Sequence, residues 1–196
     1  MSVSLVSTGV QFPDSTIQTT AAGASGLTLI STTTSAGGSG TFDITTGFSS
    51  TYDDYIIIGE NITLGGRSSD TQYLRVYTNG TLQTGYAYNY VNLFGIGSAS
   101  TFRSYNTQVA TFVDFYDTSV GSFQLTLTNT NSTSGKTQGI ALFGCNDGTT
   151  LSGVNVSVVT FNNTSTNALT GIRLFWGTGS GTFNSGAVLK LYGVKK

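Results

Sequence analysis

The stretch Phe123–Thr128, FQLTLT, sets Phe123, Leu125 and Leu127 against Gln124, Thr126 and Thr128. A strict apolar/polar alternation is the signature of a strand with one face in a core and one in water. The same period returns in GVNVSVVTF, where Val154, Val156 and Val158 share a face, and in LKLY, where Leu189 and Leu191 oppose Lys190 and Tyr192. Two turn signals join such runs: Asn79-Gly80 between TQYLRVYT and TLQTGYAY, and Asp147-Gly148 between GIALFGCN and TTLSGVNVSV. Both dipeptides favour the positive φ angles of tight hairpins, so each implies an antiparallel pair. No window carries capped apolar residues at i, i+3, i+4 and i+7, and no helix is expected. Strands are expected near 27–33, 40–46, 54–64, 71–78, 81–94, 107–117, 120–129, 138–146, 152–161, 168–177 and 185–194. Many short strands joined by Ser/Thr/Gly connections predict an all-β fold, an antiparallel β-sandwich of jelly-roll type.

Composition limits what such a fold would do. The chain has 196 residues, 38% hydrophobic and 12% aromatic, enough for one domain with a sizeable core. Only 9% of residues are charged and the net charge is -1. Nucleic-acid binding, whose affinity comes from clustered Lys and Arg on phosphates, is therefore not expected. No apolar run reaches membrane-spanning length, and membrane insertion is not expected either. The first cation after the N-terminus is Arg67, which argues against a secretory or transit segment and for a soluble protein. Cys145 is the lone cysteine and sits in an apolar strand, where it reads as a small buried hydrophobe.

Residues 1–26 differ from the rest of the chain. They hold two short apolar patches, Val3–Val6 and Val10–Phe12, and end in the flexible run TTAAGASG. Pro13, the only proline, drives Phe12 toward an extended conformation. The chain thus divides into an extended N-terminal arm and hinge, 1–26, and a β-sandwich, 27–196. An arm this short lacks a core of its own, so it is expected to lie on its own domain, a sister chain or another protein. Val10, Phe12, Pro13, Asp14, Ile17 and Gln18 are the expected anchoring residues. With so little charge, that attachment would rest on apolar burial and backbone pairing and depend weakly on salt.

The segment GVQFPDSTIQTTAA resembles a G-[IV]-x-F-P-D-G-T-x-Q-T-T-A pattern of tailed-bacteriophage fibre and appendage proteins, with Ser15 in place of the usual glycine. FSSTYDDYIIIGENI resembles an S-T-Y-D-x-Y strand opening of phage structural modules. TGIRLFWGTGSGTFNSGAVLKLYGVKK resembles their C-terminal signature, with its final L-Y-G-[IV]-K. The resemblance implies a virion structural protein that is homotrimeric and exposed on the particle, assembled in the host cytoplasm.

Catalytic chemistry finds little support in the residues. His is absent, so a Ser-His-Asp or Cys-His arrangement and a histidine zinc site are excluded. Asp53 and Asp54 would point to opposite faces of a strand and are read as capping the turn before YIII; Asp114 and Asp117 would also diverge. GTGSGTF, at 177–183, lacks the Lys-Ser/Thr and helix of a phosphate loop and is read as a hairpin loop. The expectation is a protein that is not an enzyme and uses no cofactor, with a calcium-binding loop left open.

YAYNYVNLF places Tyr86, Tyr88, Tyr90 and Phe94 on one strand face and Asn89 on the other. That row suits stacking on sugar rings of a host glycan, and it equally suits a core or a subunit seam, the preferred reading. Trp176 shares a face with Ile172 and Leu174 and is expected in the core. Three functions fit these residues: a capsid decoration or head-fibre protein gripping the shell through its arm; a tail-fibre or tail-adaptor protein whose sandwich tip binds a receptor; and a free carbohydrate-binding module.

Overall fold

A computed structural model describes residues 4–6, 9–11, 13, 17–18, 26–66, 68–84, 88–96, 99–107, 110–116, 120–131, 137–146, 154–163 and 167–195, with side chains at 13, 26–66, 68, 70–84, 120–131, 137–144 and 167–195. The described residues form strands and no helix. In chain order these are β1 (Ser4–Val6), β2 (Gly9–Gln11), β3 (Ile17–Gln18), β4 (Leu27–Thr34), β5 (Thr41–Ile44) and β6 (Asp54–Gly65). Next come β7 (Ser69–Thr78), β8 (Thr81–Leu82), β9 (Tyr88–Ile96), β10 (Ala99–Thr107), β11 (Ala110–Tyr116) and β12 (Val120–Thr128). The chain continues through β13 (Gln138–Asn146), β14 (Val154–Asn163), β15 (Leu169–Trp176), β16 (Thr182–Phe183) and β17 (Val188–Val194).

Two antiparallel sheets make the sandwich. The larger runs β10-β9-β14-β13-β12-β6-β17-β4, with β16 paired to β6; the smaller runs β11-β7-β15-β5, with β8 paired to β7. Alternation decides which side chains meet between them. In β12 Phe123, Leu125 and Leu127 are buried and Ser122 and Gln124 exposed, as FQLTLT implies. In β6 the phase changes: Tyr55, Ile57 and Gly59 point inward, then Ile62 and Leu64 do. Asn61, at φ 58, is the extra residue. Across from it β12 steps only from Phe123, opposite Gly59, to Gly121, opposite Ile62. A bulge of this kind bends the strand and brings both halves of β6 onto one core.

Trp176, Phe183 and Phe42 form an aromatic chain in that core, with ring centroids 5.0 Å and 5.5 Å apart. Burying each such side chain contributes roughly 1.5–3 kcal/mol, so the sandwich rests mainly on this interior. Trp176 is a core residue, as expected. Side-chain hydrogen bonds fasten the turn before β6. The Tyr55 hydroxyl donates to Ser49 O at 2.8 Å and accepts from Ser49 N at 2.7 Å. Thr130 Oγ1 donates to Asp53 O at 2.7 Å, and the Asn131 amide donates to Ser49 O and Tyr52 O. The carbonyl of Asp53 thus ties that turn to the end of β12.

The Asn79-Gly80 hairpin forms as the dipeptide implies, with φ of 48° and 75° joining β7 to β8. β13 and β14 pair antiparallel as expected, while Asp147-Gly148 lies outside the described residues. Two strands were not expected. β10 pairs only with β9 at the sheet edge, and β16 is two residues long. The expected strand 81–94 is divided into β8 and β9. GTGSGTF leads from β15 to β16, which pairs with β6, so it crosses between sheets where a hairpin loop was expected. Within residues 1–26 the backbone is extended, but β1, β2 and β3 pair with one another as a three-stranded sheet of their own.

Candidate functional site

The outward face of the smaller sheet collects charged and aromatic side chains. In β7, Gln72, Leu74 and Val76 point inward, which turns Tyr73, Arg75 and Tyr77 outward. In β15, Ile172, Leu174 and Trp176 are inward, leaving Arg173 and Phe175 outward; in β5 Phe42 and Ile44 leave Asp43. Strand register then fixes neighbours: Arg173 stands between Arg75 and Asp43, and Phe175 stands opposite Tyr73.

Two guanidinium groups directly opposite on a sheet repel each other. Here each has compensation. Arg173 makes a two-pronged ion pair with Asp43, Nε to Oδ1 at 2.8 Å and Nη2 to Oδ2 at 2.6 Å. Its Cζ also lies 5.6 Å from the Tyr77 ring centre. Arg75 sits over the Phe175 ring, 4.8 Å from its centre, and Phe175 lies 5.6 Å from Tyr73. A cation over a ring face gains from the ring quadrupole, about 0.5–1 kcal/mol at exposed sites.

Tyr77 reaches across β15 to donate to Asp43 Oδ2 at 3.1 Å. The reach is open because Gly171 lies beneath the ring: a Cβ there would stand 2.7 Å from Ile44 O and 3.1 Å from Tyr77 Cδ2. Burial, and then the Asp43 carboxylate, push the Tyr77 phenol above its ordinary value, so it stays a protonated donor. The hydrogen bond to Asp43 likewise raises the Arg173 guanidinium, which holds its charge. At one end of the face, Asp70 accepts from Thr71 N at 2.8 Å, from Thr178 N at 3.2 Å and from the Thr178 hydroxyl. These bonds fix the turn after β15. Guanidinium, carboxylate and phenol side by side with ring edges form a hydrogen-bonding, partly apolar surface suited to a polyhydroxylated ligand. Among the described residues no cluster of three or more His, Cys, Asp or Glu could hold a metal.

The residues expected from the sequence lie elsewhere. Val10 is in β2, paired with Leu5 and Gln18; Ile17 and Gln18 are in β3; Pro13 is an exposed turn residue; Phe12 and Asp14 lie outside the described residues. Tyr88 and Tyr90 are in β9, where Tyr90 is in register with Tyr105 and Phe161; Tyr86 lies outside the described residues. Sequence reasoning missed the arginine–aromatic face, although YLRVY and IRLFW each carry its period-two signal.

No family model matches the chain, and no curated protein matches it. Solved structures similar to it include Scytalido-glutamic peptidase with a peptide-based transition-state analogue, 21% identical, covering 71% of this chain and 69% of that chain at a TM-score of 0.28. The same peptidase with a transition-state analogue inhibitor is similar at 18% identity, 71% and 69% coverage and TM-score 0.28. The CBM2 module of the evolved Dit of Lactobacillus casei BL23 phage J-1 is similar at 9% identity, 76% and 64% coverage and TM-score 0.24. These likenesses assign neither a site nor a reaction to this chain. One of them is nonetheless to an enzyme, at a probability of 0.98, and the expectation that the chain is not an enzyme is corrected accordingly. Missing histidine removes only some mechanisms: nine Asp and Glu remain.

Proposed function

We propose that the chain is a surface protein of a tailed-bacteriophage particle, attached through residues 1–26 and holding its β-sandwich outward as a homotrimer. The observation that carries this reading is the order of three motifs along one chain, GVQFPDSTIQTTAA, STYDDY and LYGVKK. The separate pairing of β1, β2 and β3 supports it, because a small sheet detached from the sandwich pairing leaves that segment a partner of its own to grip. The test is the copy number per purified particle, by quantitative mass spectrometry against the major shell protein. Hundreds of copies identify a capsid decoration or head-fibre protein, and a few to a few tens identify a tail fibre or adaptor. Absence from washed particles sinks the reading.

A second role, recognition of a host-surface glycan, is favoured by the Arg173–Asp43–Tyr77 array beside Phe175. It is tested by a glycan-array screen of the full chain. Binding lost in Arg173→Ala and Phe175→Ala supports the role; no binding, or binding unchanged in both variants, removes it.

A further inference from the structure

The outward face of the larger sheet has the opposite chemistry. Every large hydrophobic side chain exposed among the described residues, Leu27, Leu29, Val120, Ile140 and Leu142, stands on this one face, each 44–57% exposed. Register sets them in rows. Leu29, Tyr192, Ile56, Thr126 and Ile140 lie side by side across five strands, and Lys190, Ile58, Gln124 and Leu142 across four in the next row. Between Ile58 and Leu142 the short side chains of Ser122 and Gly144 leave a hollow of about 500 Å³. The charged residue of these rows, Lys190, is held by Glu60 at 2.7 Å and 2.8 Å.

We infer that this face is where copies of the chain pack against one another. An apolar face that neutralises its own charge meets a second such face without repulsion. A strongly charged partner would find nothing to pair with. A sugar ligand would find aliphatic side chains and one Tyr where it needs aromatic planes. From β4 to β13 the face is about five strands wide at about 4.8 Å each and about seven residues long at about 3.3 Å each. Its footprint is on the order of 550 Å², approaching the roughly 800 Å² that each partner gives a standard interface. The apolar residues lie at two ends, Leu27 and Leu29 on β4 and Ile140 and Leu142 on β13, separated by the polar β12 face of Gln124 and Thr126. The β13 end of one copy on the β4 end of the next uses each end once per subunit, and repetition closes a ring.

The inference deepens the homotrimer of the proposed function, on which it rests, by giving it a surface. Light scattering on the full chain should give a closed multiple of 20.4 kDa. The double substitution Ile140→Glu, Leu142→Glu should reduce the mass to that of one chain while circular dichroism stays unchanged. A wild-type monomer, or an oligomer that survives both substitutions, overturns the inference. Should the variant fail to fold, Leu29→Cys with Leu142→Cys decides: oxidation should give covalently linked chains that neither single variant gives, and a double variant without such links overturns it. A monomer that is still found on particles defeats this inference alone; an oligomer absent from particles defeats only the particle reading.

Discussion

The two outer faces of the sandwich are made by the same alternation and finish with different chemistry. On the smaller sheet the outward positions of β5, β15 and β7 are Asp43, Arg173, Phe175, Tyr73, Arg75 and Tyr77, which satisfy one another by ion pairing and ring contacts. On the larger sheet the outward positions carry Leu29, Ile56, Ile140 and Leu142 around one ion pair. A face of the first kind is at home in water and offers donors and acceptors to a ligand. A face of the second kind leaves apolar area exposed, and such an area marks a contact. The difference teaches that burial inside the sandwich, which the two sheets share, says little about their outsides.

Four substitutions sharpen that contrast, in order of expected effect. Asp70→Ala removes the acceptor of three hydrogen bonds at the turn after β15 and should cost about 3 kcal/mol, read by urea unfolding. A cost near zero would mean that this turn does not support the arginine–aromatic face. Gly59→Ala, beneath the larger sheet, drives a methyl into the Phe123 ring and should cost roughly 1–3 kcal/mol in the same assay. Unchanged stability would mean that the ring has room to move and that the bulged strand is loosely packed. Arg173→Ala removes the two-pronged pair with Asp43 and should cost about 1 kcal/mol, since both side chains keep more than a quarter of their exposure. Tyr77 still donates to Asp43 in that variant, so a loss several times larger would show that the face is more tightly coupled than its geometry implies.

The smallest effect belongs to Lys190→Met. The hydrogen bond that Lys190 donates to Glu60 raises its pKa in the folded chain. A raised folded pKa stabilises below the unfolded value, about 10.4, and the gain disappears as pH climbs through the folded value. Wild type and variant should therefore differ slightly in stability at neutral pH and converge in strong alkali. A difference that grows with alkali contradicts the pairing.

The sandwich is legible in the sequence where a strand has one wet face, as in FQLTLT and in TQYLRVYT. It is illegible at β10, whose ASTFRSYNT lacks alternation: an edge strand needs only the backbone of β9 as its partner. The phase change at Asn61 is equally hidden, because YIIIG is apolar on both faces and masks which residues turn inward. The arginine–aromatic face is half legible. Period two gives Tyr73, Arg75 and Tyr77 a common side, but only register brings Arg173 and Asp43 to them from distant parts of the chain. The apolar outer face is concealed for the same reason, since Ile56 and Ile140 come together only through Thr126. Residues 1–26 read as extended, and the fold adds that β2 takes both β1 and β3 as partners.

Hydroxyl-radical footprinting of the full chain at low and high protein concentration tests the central contrast most directly. Raising the concentration should protect Leu29, Ile140 and Leu142 from labelling and leave Tyr73, Tyr77 and Phe175 as reactive as before. Protection on the smaller sheet instead, or equal reactivity of both faces at every concentration, would contradict the assignment of one face to copies of the chain and the other to solvent and ligand.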